Sequence, residues 1–243
     1  MPKALYIVEP EDFVGVAAAV LESEMLSALE DARHRSHHLT GAAISVCLAG
    51  GSTPRPVYEA LVANAPPGFP WGAIEVWLGD ERWVDARDPD SNRLMVRDTV
   101  LQPSGIDPRS LRSIDTSSES PDTAAVLYEA TLPPGAEFDL MVLGVGADGH
   151  TASIFPHSAA AAERMRMVVP AMSPVAPVQR VTITLPVISR ARRLVTMACG
   201  SHKAPAIAAA IEGDVSVEAC PARVAREGVW VLDTDAASAL RDP

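Results

Sequence analysis

The sequence predicts an α/β fold: a mostly parallel sheet with helices on both faces, in a single domain. Three observations lead there. Short, nearly continuous apolar runs recur along the chain, as in strands buried on both sides. Segments with helical spacing separate those runs. The chain has 243 residues, 48% of them apolar and 21% charged, enough for one well-buried core.

Taken in order, Ala4 to Val8 reads as a strand. Glu11 to His38 reads as a long amphipathic helix, opened by Pro10 and the acids Glu11 and Asp12. Ala42 to Leu48 is a buried strand closed by Gly50-Gly51, and Pro54 to Asn64 a helix. A strand over Ile74 to Leu78 precedes helices over Asn92 to Leu101 and Thr123 to Thr131. Phe138 to Leu143, Val181 to Thr184, Leu194 to Cys199 and Val229 to Leu232 complete the strands; Lys203 to Ile211 and Asp235 to Leu240 complete the helices. The proline-rich pieces at residues 65–68 and 132–135 read as turns, because strands resume a few residues later. No repeat is visible, so one domain is expected over residues 1–243. The stretch from Pro156 to Gln179 is the least regular and reads as a lid or an excursion.

The formal net charge of −11 argues against a nucleic-acid partner, since no basic stripe exists to displace counterions from a phosphate backbone. An anionic small molecule would need a local positive pocket in an acidic surface. No apolar run approaches membrane-spanning length, and acids come too early for a signal peptide. Cys47, Cys199 and Cys220 lack metal-type spacing, and an odd number of free thiols suits a reducing compartment. A cytoplasmic protein is expected. The sequence does not specify a subunit count.

Ligands of parallel α/β sheets bind beyond the carboxyl ends of strands, where three loops concentrate functional groups. The first is Gly50-Gly51-Ser52-Thr53-Pro54. Its glycines permit a tight turn, Ser52 or Thr53 can cap the next helix, and that helix start suits a phosphate. The same residues also make good turn chemistry and nothing more. The second is Gly79-Asp80-Glu81-Arg82-Trp83-Val84, where charges at a strand end bind either a ligand or each other, the ion-paired loop being the better reading of this segment alone.

The third loop runs from Gly144 to Ser153 and carries Asp148 and His150. It fits G-x-G-x-x-G, but Pro156 cuts the following helix short and no strand ending in an acid follows at the required distance. A base with its neighbour, beside backbone donors at a helix start, is the better reading. His34, His37, His38, His157 and His202 lack such a setting. Arg180, before a strand, and Lys203, opening a helix, add positive charge; a solvated helix-start lysine is the plain alternative for the latter.

In combination these segments resemble the 6-phosphogluconolactonases within the glucosamine-6-phosphate isomerase superfamily. The resemblance rests on Leu48 to Pro54, Trp77 to Arg82 with Ser91-Asn92, Asp139 to Pro156, Arg180 to Thr184, and Lys203-Ala204, in that order. The run from Asp148 through Gly149, His150 and Thr151 to Pro156 is the most specific. Ala49 departs from the family, where a Ser is common. The resemblance implies a phosphorylated sugar lactone as substrate, no metal and no organic cofactor. It implies phosphate binding by Gly50, Gly51, Ser52 and Thr53 with Arg180 and Lys203. Arg82 and Asp80 would line the sugar side, with His150 the base that activates water; Asp148, close in sequence, would orient the imidazole or support its charged form. Backbone N–H groups of residues 144–149, or Arg82, would stabilise an oxyanion.

Two rivals bear on this expectation. A glucosamine-6-phosphate deaminase is expected to carry another acid soon after the histidine, and here none appears before Glu163. A sugar-phosphate sensor of this superfamily would append a DNA-binding segment, for which the acidic chain leaves no room.

Overall fold

A computed structural model describes residues 1–35 and 44–241. Its strands are β1 (Ala4–Val8), β2 (Ile44–Leu48), β3 (Ile74–Leu78), β4 (Asp80–Arg82), β5 (Leu111–Arg112), β6 (Leu140–Gly144), β7 (Val168–Met172), β8 (Gln179–Ile183), β9 (Leu194–Ala198) and β10 (Val229–Asp233). Its helices are α1 (Phe13–Arg35), α2 (Pro54–Asn64), α3 (Asn92–Val96), α4 (Gln102–Ser104), α5 (Pro121–Glu129), α6 (Ala159–Ala162), α7 (Leu185–Arg190), α8 (Ala204–Ile211) and α9 (Thr234–Ala237). A π-helical stretch, Arg97–Leu101, joins α3 to α4.

Seven strands form a sheet in the order β1-β10-β9-β6-β2-β3-β5, every pairing parallel. Both faces are covered, and alternation along the strands explains how. Ile44, Val46, Leu48, Val76 and Leu78 point into one core with Leu21, Met25 and Leu29 of α1 and Val57 and Leu61 of α2. Cys47, Trp77, Met141 and Leu143 point into the other with α5, α7 and α8. All five residues of β2 are buried, as its unbroken apolar run requires.

From β2 the chain winds outward through β3 to β5. It then returns to place β6 on the other side of β2. The loops leaving β2 and β6 therefore diverge, opening a crevice at their carboxyl ends where strand order reverses.

A second sheet departs from expectation. Asp80-Glu81-Arg82 is strand β4 rather than a loop, and it joins β8 and β7 in a three-stranded antiparallel sheet. Residues 156–179 hold α6, β7 and most of the β7–β8 hairpin. Their buried apolar residues, among them Ala160, Ala161, Val168 and Val169, belong to the second core. They form an excursion packed onto the body of the fold. The first helix begins at Phe13 because Glu11 and Asp12 remain in the preceding turn, where Asp12 N–H donates to Glu9 O. Its expected end at His38, together with His37 and the strand start at Ala42, lies outside the described residues. The strand expected from Phe138 begins at Leu140; Asp139 just before it accepts from Ser45 N–H at 2.9 Å and pairs with Arg35. The three cysteines are free thiols, Cys47 and Cys220 buried and Cys199 half-buried.

Candidate active site

Outside the carboxyl ends of β2 and β6 lies a cleft of about 390 Å³. The loops after β2, β3, β6 and β9 converge on it, and the β7–β8 hairpin forms a further wall. Gly50, Gly51, Ser52, Thr53, Asp80, Arg82, His150, Arg180 and Lys203 all line it. Asp148 does not reach the cleft wall; it stands beside His150.

The loop after β2 delivers Pro54 to the first turn of α2. Thr53 makes no capping bond, contrary to expectation, because its backbone is already helical at φ −69° and ψ −48°. Its hydroxyl instead accepts from Lys203 Nζ at 3.3 Å. Burial lowers the Lys203 pKa from the ordinary lysine value, with Cys199 and Asp233 opposing. The loop carrying Lys203 is itself fixed, since Gly200 N–H donates to the buried Asp233 carboxylate at 3.0 and 3.1 Å.

The small sheet supplies the other cations. Register pairs Asp80 with Thr182 and Arg82 with Arg180. Directly opposed residues of antiparallel strands share a face, as do residues two apart on one strand. Asp80, Arg82, Arg180 and Thr182 therefore share one face, of which the first three line the cleft and Thr182 is buried, while Glu81 turns into the protein. Arg180 is only 7% exposed, and its Nε donates to Pro177 O at 2.7 Å. Burial, then the neighbouring Arg82, lowers its pKa, with Asp80, Asp90 and Glu81 opposing. Arg82 donates through one terminal nitrogen to Asp90 O at 2.6 Å, while its Nε is buried with no partner. Two adjacent guanidiniums lining the cleft suit an anionic or oxygen-rich ligand.

The loop after β6 is shaped around His150. His150 Nδ1 lies 2.6 Å from Asp148 Oδ1, which also accepts the His150 backbone N–H at 3.1 Å. A carboxylate at Nδ1 requires the proton there, leaving Nε2 with its lone pair. Burial pushes the Asp148 pKa up, but the hydrogen bonds from His150 outweigh it, so the carboxyl lies below its ordinary value. Phe155 packs on the imidazole, ring centroids 4.6 Å apart. Gly146 has no alternative: a Cβ there would stand 2.1 Å from His150 Nδ1 and 2.7 Å from Asp148 Oδ1.

No helix starts after His150, against expectation. Ala152 adopts φ +48° and Thr151 bridges to Ile154, making a tight turn before Pro156. Two backbone donors of the loop are also engaged internally: Gly146 N–H to His150 O and Gly149 N–H to Gly146 O, at 2.9 and 3.0 Å.

The cleft includes residues that the sequence reading did not assign to it, among them Asn92, Ser153, Phe155 and the hairpin residues Ser173, Val175, Ala176 and Pro177. Asn92 had a local signal, following the helix cap Ser91. The hairpin falls within the stretch read as a lid or an excursion, but its individual residues had no local signal, because their nearness depends on the second sheet. Among the described residues no group of three or more His, Cys, Asp or Glu is arranged to hold a metal ion. No helix among them is long and apolar enough to cross a membrane.

Comparison with known proteins places this geometry in context. Residues 12–232 match the profile of the family described as glucosamine-6-phosphate isomerases/6-phosphogluconolactonase. A 6-phosphogluconolactonase of Synechocystis is 36% identical over 208 residues, 81% of this chain and 85% of that protein. One of Mycobacterium tuberculosis is 37% identical over 210 residues, 80% of this chain and 84% of that protein. The crystal structure of 6-phosphogluconolactonase from Thermotoga maritima superposes with a TM-score of 0.80 at 27% identity, covering 95% of this chain and 99% of that one. By the extent of the profile match and the identity to these relatives, the chain belongs to the glucosamine-6-phosphate isomerase/6-phosphogluconolactonase family.

Proposed function

We propose that this chain is a cytoplasmic, single-domain enzyme that hydrolyses 6-phospho-D-glucono-1,5-lactone to 6-phosphogluconate, the second step of the oxidative pentose phosphate pathway. The observation that carries the reading is the His150–Asp148 pair, placed beside a cleft that also holds Arg82, Arg180 and Lys203. Relatives named for this activity support the substrate class.

In the proposed mechanism, Nε2 of neutral His150 removes a proton from water as its oxygen bonds to the lactone carbonyl carbon. General-base assistance of this kind is worth roughly 10²–10⁴-fold. Asp148 holds the ring in the required tautomer and favours the imidazolium that forms. Negative charge develops on the carbonyl oxygen. The Gly146 and Gly149 N–H groups are engaged within their loop, which leaves its other backbone N–H groups, or the Arg82 guanidinium that lines the cleft, as the stabilising donor. When the intermediate collapses, the bond from the carbonyl carbon to the ring oxygen breaks. The ring oxygen takes the proton from His150, and the new carboxylic acid ionises. The start of α2 with Lys203 and Arg180 grips the phosphate, remote from the reacting carbon, and supplies positioning.

The test is acid release when the protein meets freshly generated lactone, measured above the spontaneous rate. His150→Ala should lower turnover at least about a hundredfold with unchanged circular dichroism. Near-wild-type turnover of that variant removes His150 from the mechanism, and no acceleration by wild type removes the lactonase reading. A deaminase is disfavoured by Glu163, the first acid after His150. Its carboxylate accepts backbone N–H groups of Arg164, Met165 and Arg166 at 2.8, 2.6 and 3.1 Å, and it does not line the cleft. Ammonia release from glucosamine 6-phosphate would reverse that choice.

A further inference from the structure

We propose that Ser153 and Asn92 are positioning residues that fix the Asp80 carboxylate as a rigid hydroxyl acceptor, setting its place relative to both the phosphate loop and His150. The proposal rests on the lactonase reading, which supplies a polyhydroxylated sugar for Asp80 to receive.

Asp80 lines the cleft, yet is 7% exposed, and both of its carboxylate oxygens have a partner. Ser153 Oγ donates to Oδ2 at 2.5 Å. Asn92 Nδ2 donates to Oδ1 at 3.1 Å and to the Asp80 backbone O at 2.9 Å. The backbone oxygen can only accept, so the amide must present its NH₂ group here. A carboxylate pinned at both ends cannot swivel, and each oxygen keeps a further lone pair in a fixed direction. An acceptor ordered before binding loses little freedom when substrate arrives.

The two partners are fixed in their turn. Ser153 is 1% exposed; its N–H donates to Thr182 Oγ1 at 3.2 Å, and it lies three residues after His150. It therefore ties the base loop to both β4 and β8. Asn92 is 2% exposed and begins α3, whose first amides dock on the buried Glu81 carboxylate: Asn92 N–H at 2.7 Å and Arg93 N–H at 2.8 Å. Its amide also lies against the phosphate loop, where a Cβ on Gly50 would stand 1.7 Å from Asn92 Oδ1. Asn92 is thus a spacer between Gly50 and Asp80, and Ser153 a spacer between Asp80 and the His150 loop. Through Asp80, the two set the distances among phosphate grip, hydroxyl acceptor and base.

The test is a double-mutant cycle on the lactonase reaction, with calorimetric binding of 6-phosphogluconate alongside. Ser153→Ala should raise KM for the lactone about tenfold while kcat changes less than about threefold, since the interaction acts on binding of the sugar. Ser153→Thr, which restores a hydroxyl, should recover at least part of the loss. In an Asp80→Asn background, Ser153→Ala should add almost nothing, because two residues acting through one contact are not additive. Asn92→Ala should behave alike and serves as the second probe if Ser153→Ala lowers the melting temperature. Additive effects in both double variants, or wild-type KM in both single variants, would overturn the proposal. Those results in an active enzyme leave the lactonase reading standing. A wild-type protein that neither hydrolyses the lactone nor binds 6-phosphogluconate removes that reading and this inference with it.

Discussion

At the scale of single residues, the cleft depends on protons held in particular places. The proposed base works only while Nδ1 keeps its proton, and the 2.6 Å contact to Asp148 holds it there. Asp148→Asn offers an amide that can turn its NH₂ toward Nδ1 and select the other tautomer. Lactone turnover should then fall by about 10² or more, with product binding changed little. Equal rates for wild type and variant would deny Asp148 that role. Lys203 makes a second prediction through pH. Burial lowers its pKa, so the ammonium is lost on the alkaline side earlier than at an ordinary lysine. A phosphate monoester is largely a dianion above about pH 6. Affinity for 6-phosphogluconate should therefore be greatest from there up to the lowered lysine value, then decline. Lys203→Arg should move that decline to higher pH, and Lys203→Met should weaken binding and flatten it; calorimetry across pH checks both. The sign for stability is the reverse. A charged, buried lysine with a depressed native pKa costs stability below that pKa, and the cost fades as pH rises from there to the unfolded value.

At the scale of elements, Glu81 shows how a buried charge builds a site without touching ligand. It is 1% exposed and accepts from Arg82, Asn92 and Arg93 N–H groups and from Ser91 Oγ. Burial raises its pKa, while the backbone donors act against that. Glu81→Gln puts an amide donor among donors, so unfolding by denaturant should show a loss of about 1–3 kcal/mol. A variant as stable as wild type would mean the docking of α3 does not depend on the carboxylate. Elements of this kind also mark where sequence reading stopped. The apolar runs of β2, β3, β6, β9 and β10 read as strands because burial on both faces leaves no other composition. Their carboxyl-end loops read as the site for the same topological reason. Strand β4 did not, because three charged residues carry no apolar alternation; its strand form comes from pairing with β8, about a hundred residues away. The adjacency of Arg82 and Arg180 follows from that register and was invisible before it. Thr53 misled in a similar way: a good capping residue by type, it serves Lys203 because its own backbone is already helical.

At the scale of the whole molecule, the charge distribution poses an opposition. The chain carries −11 overall, and its proposed substrate is itself anionic. Distant carboxylates repel such a ligand over roughly the Debye length, about 30 Å at 0.01 M salt and about 8 Å at 0.15 M. Contacts within the cleft are partly buried and much less screened, with Arg180 only 7% exposed and Lys203 half-buried. Adding salt should thus weaken the long-range repulsion more than it weakens the short-range grip. For the lactonase reaction at constant pH, kcat/KM should stay level or rise as potassium chloride goes from about 10 to 150 mM. An enzyme that draws its substrate in along a positive surface would behave in the opposite way, losing rate steeply. A fall of about tenfold or more here would mean that attraction reaches well beyond the cleft. Arg82, Arg180 and Lys203 would then be part of a wider positive field, instead of a positive pocket confined within an acidic surface.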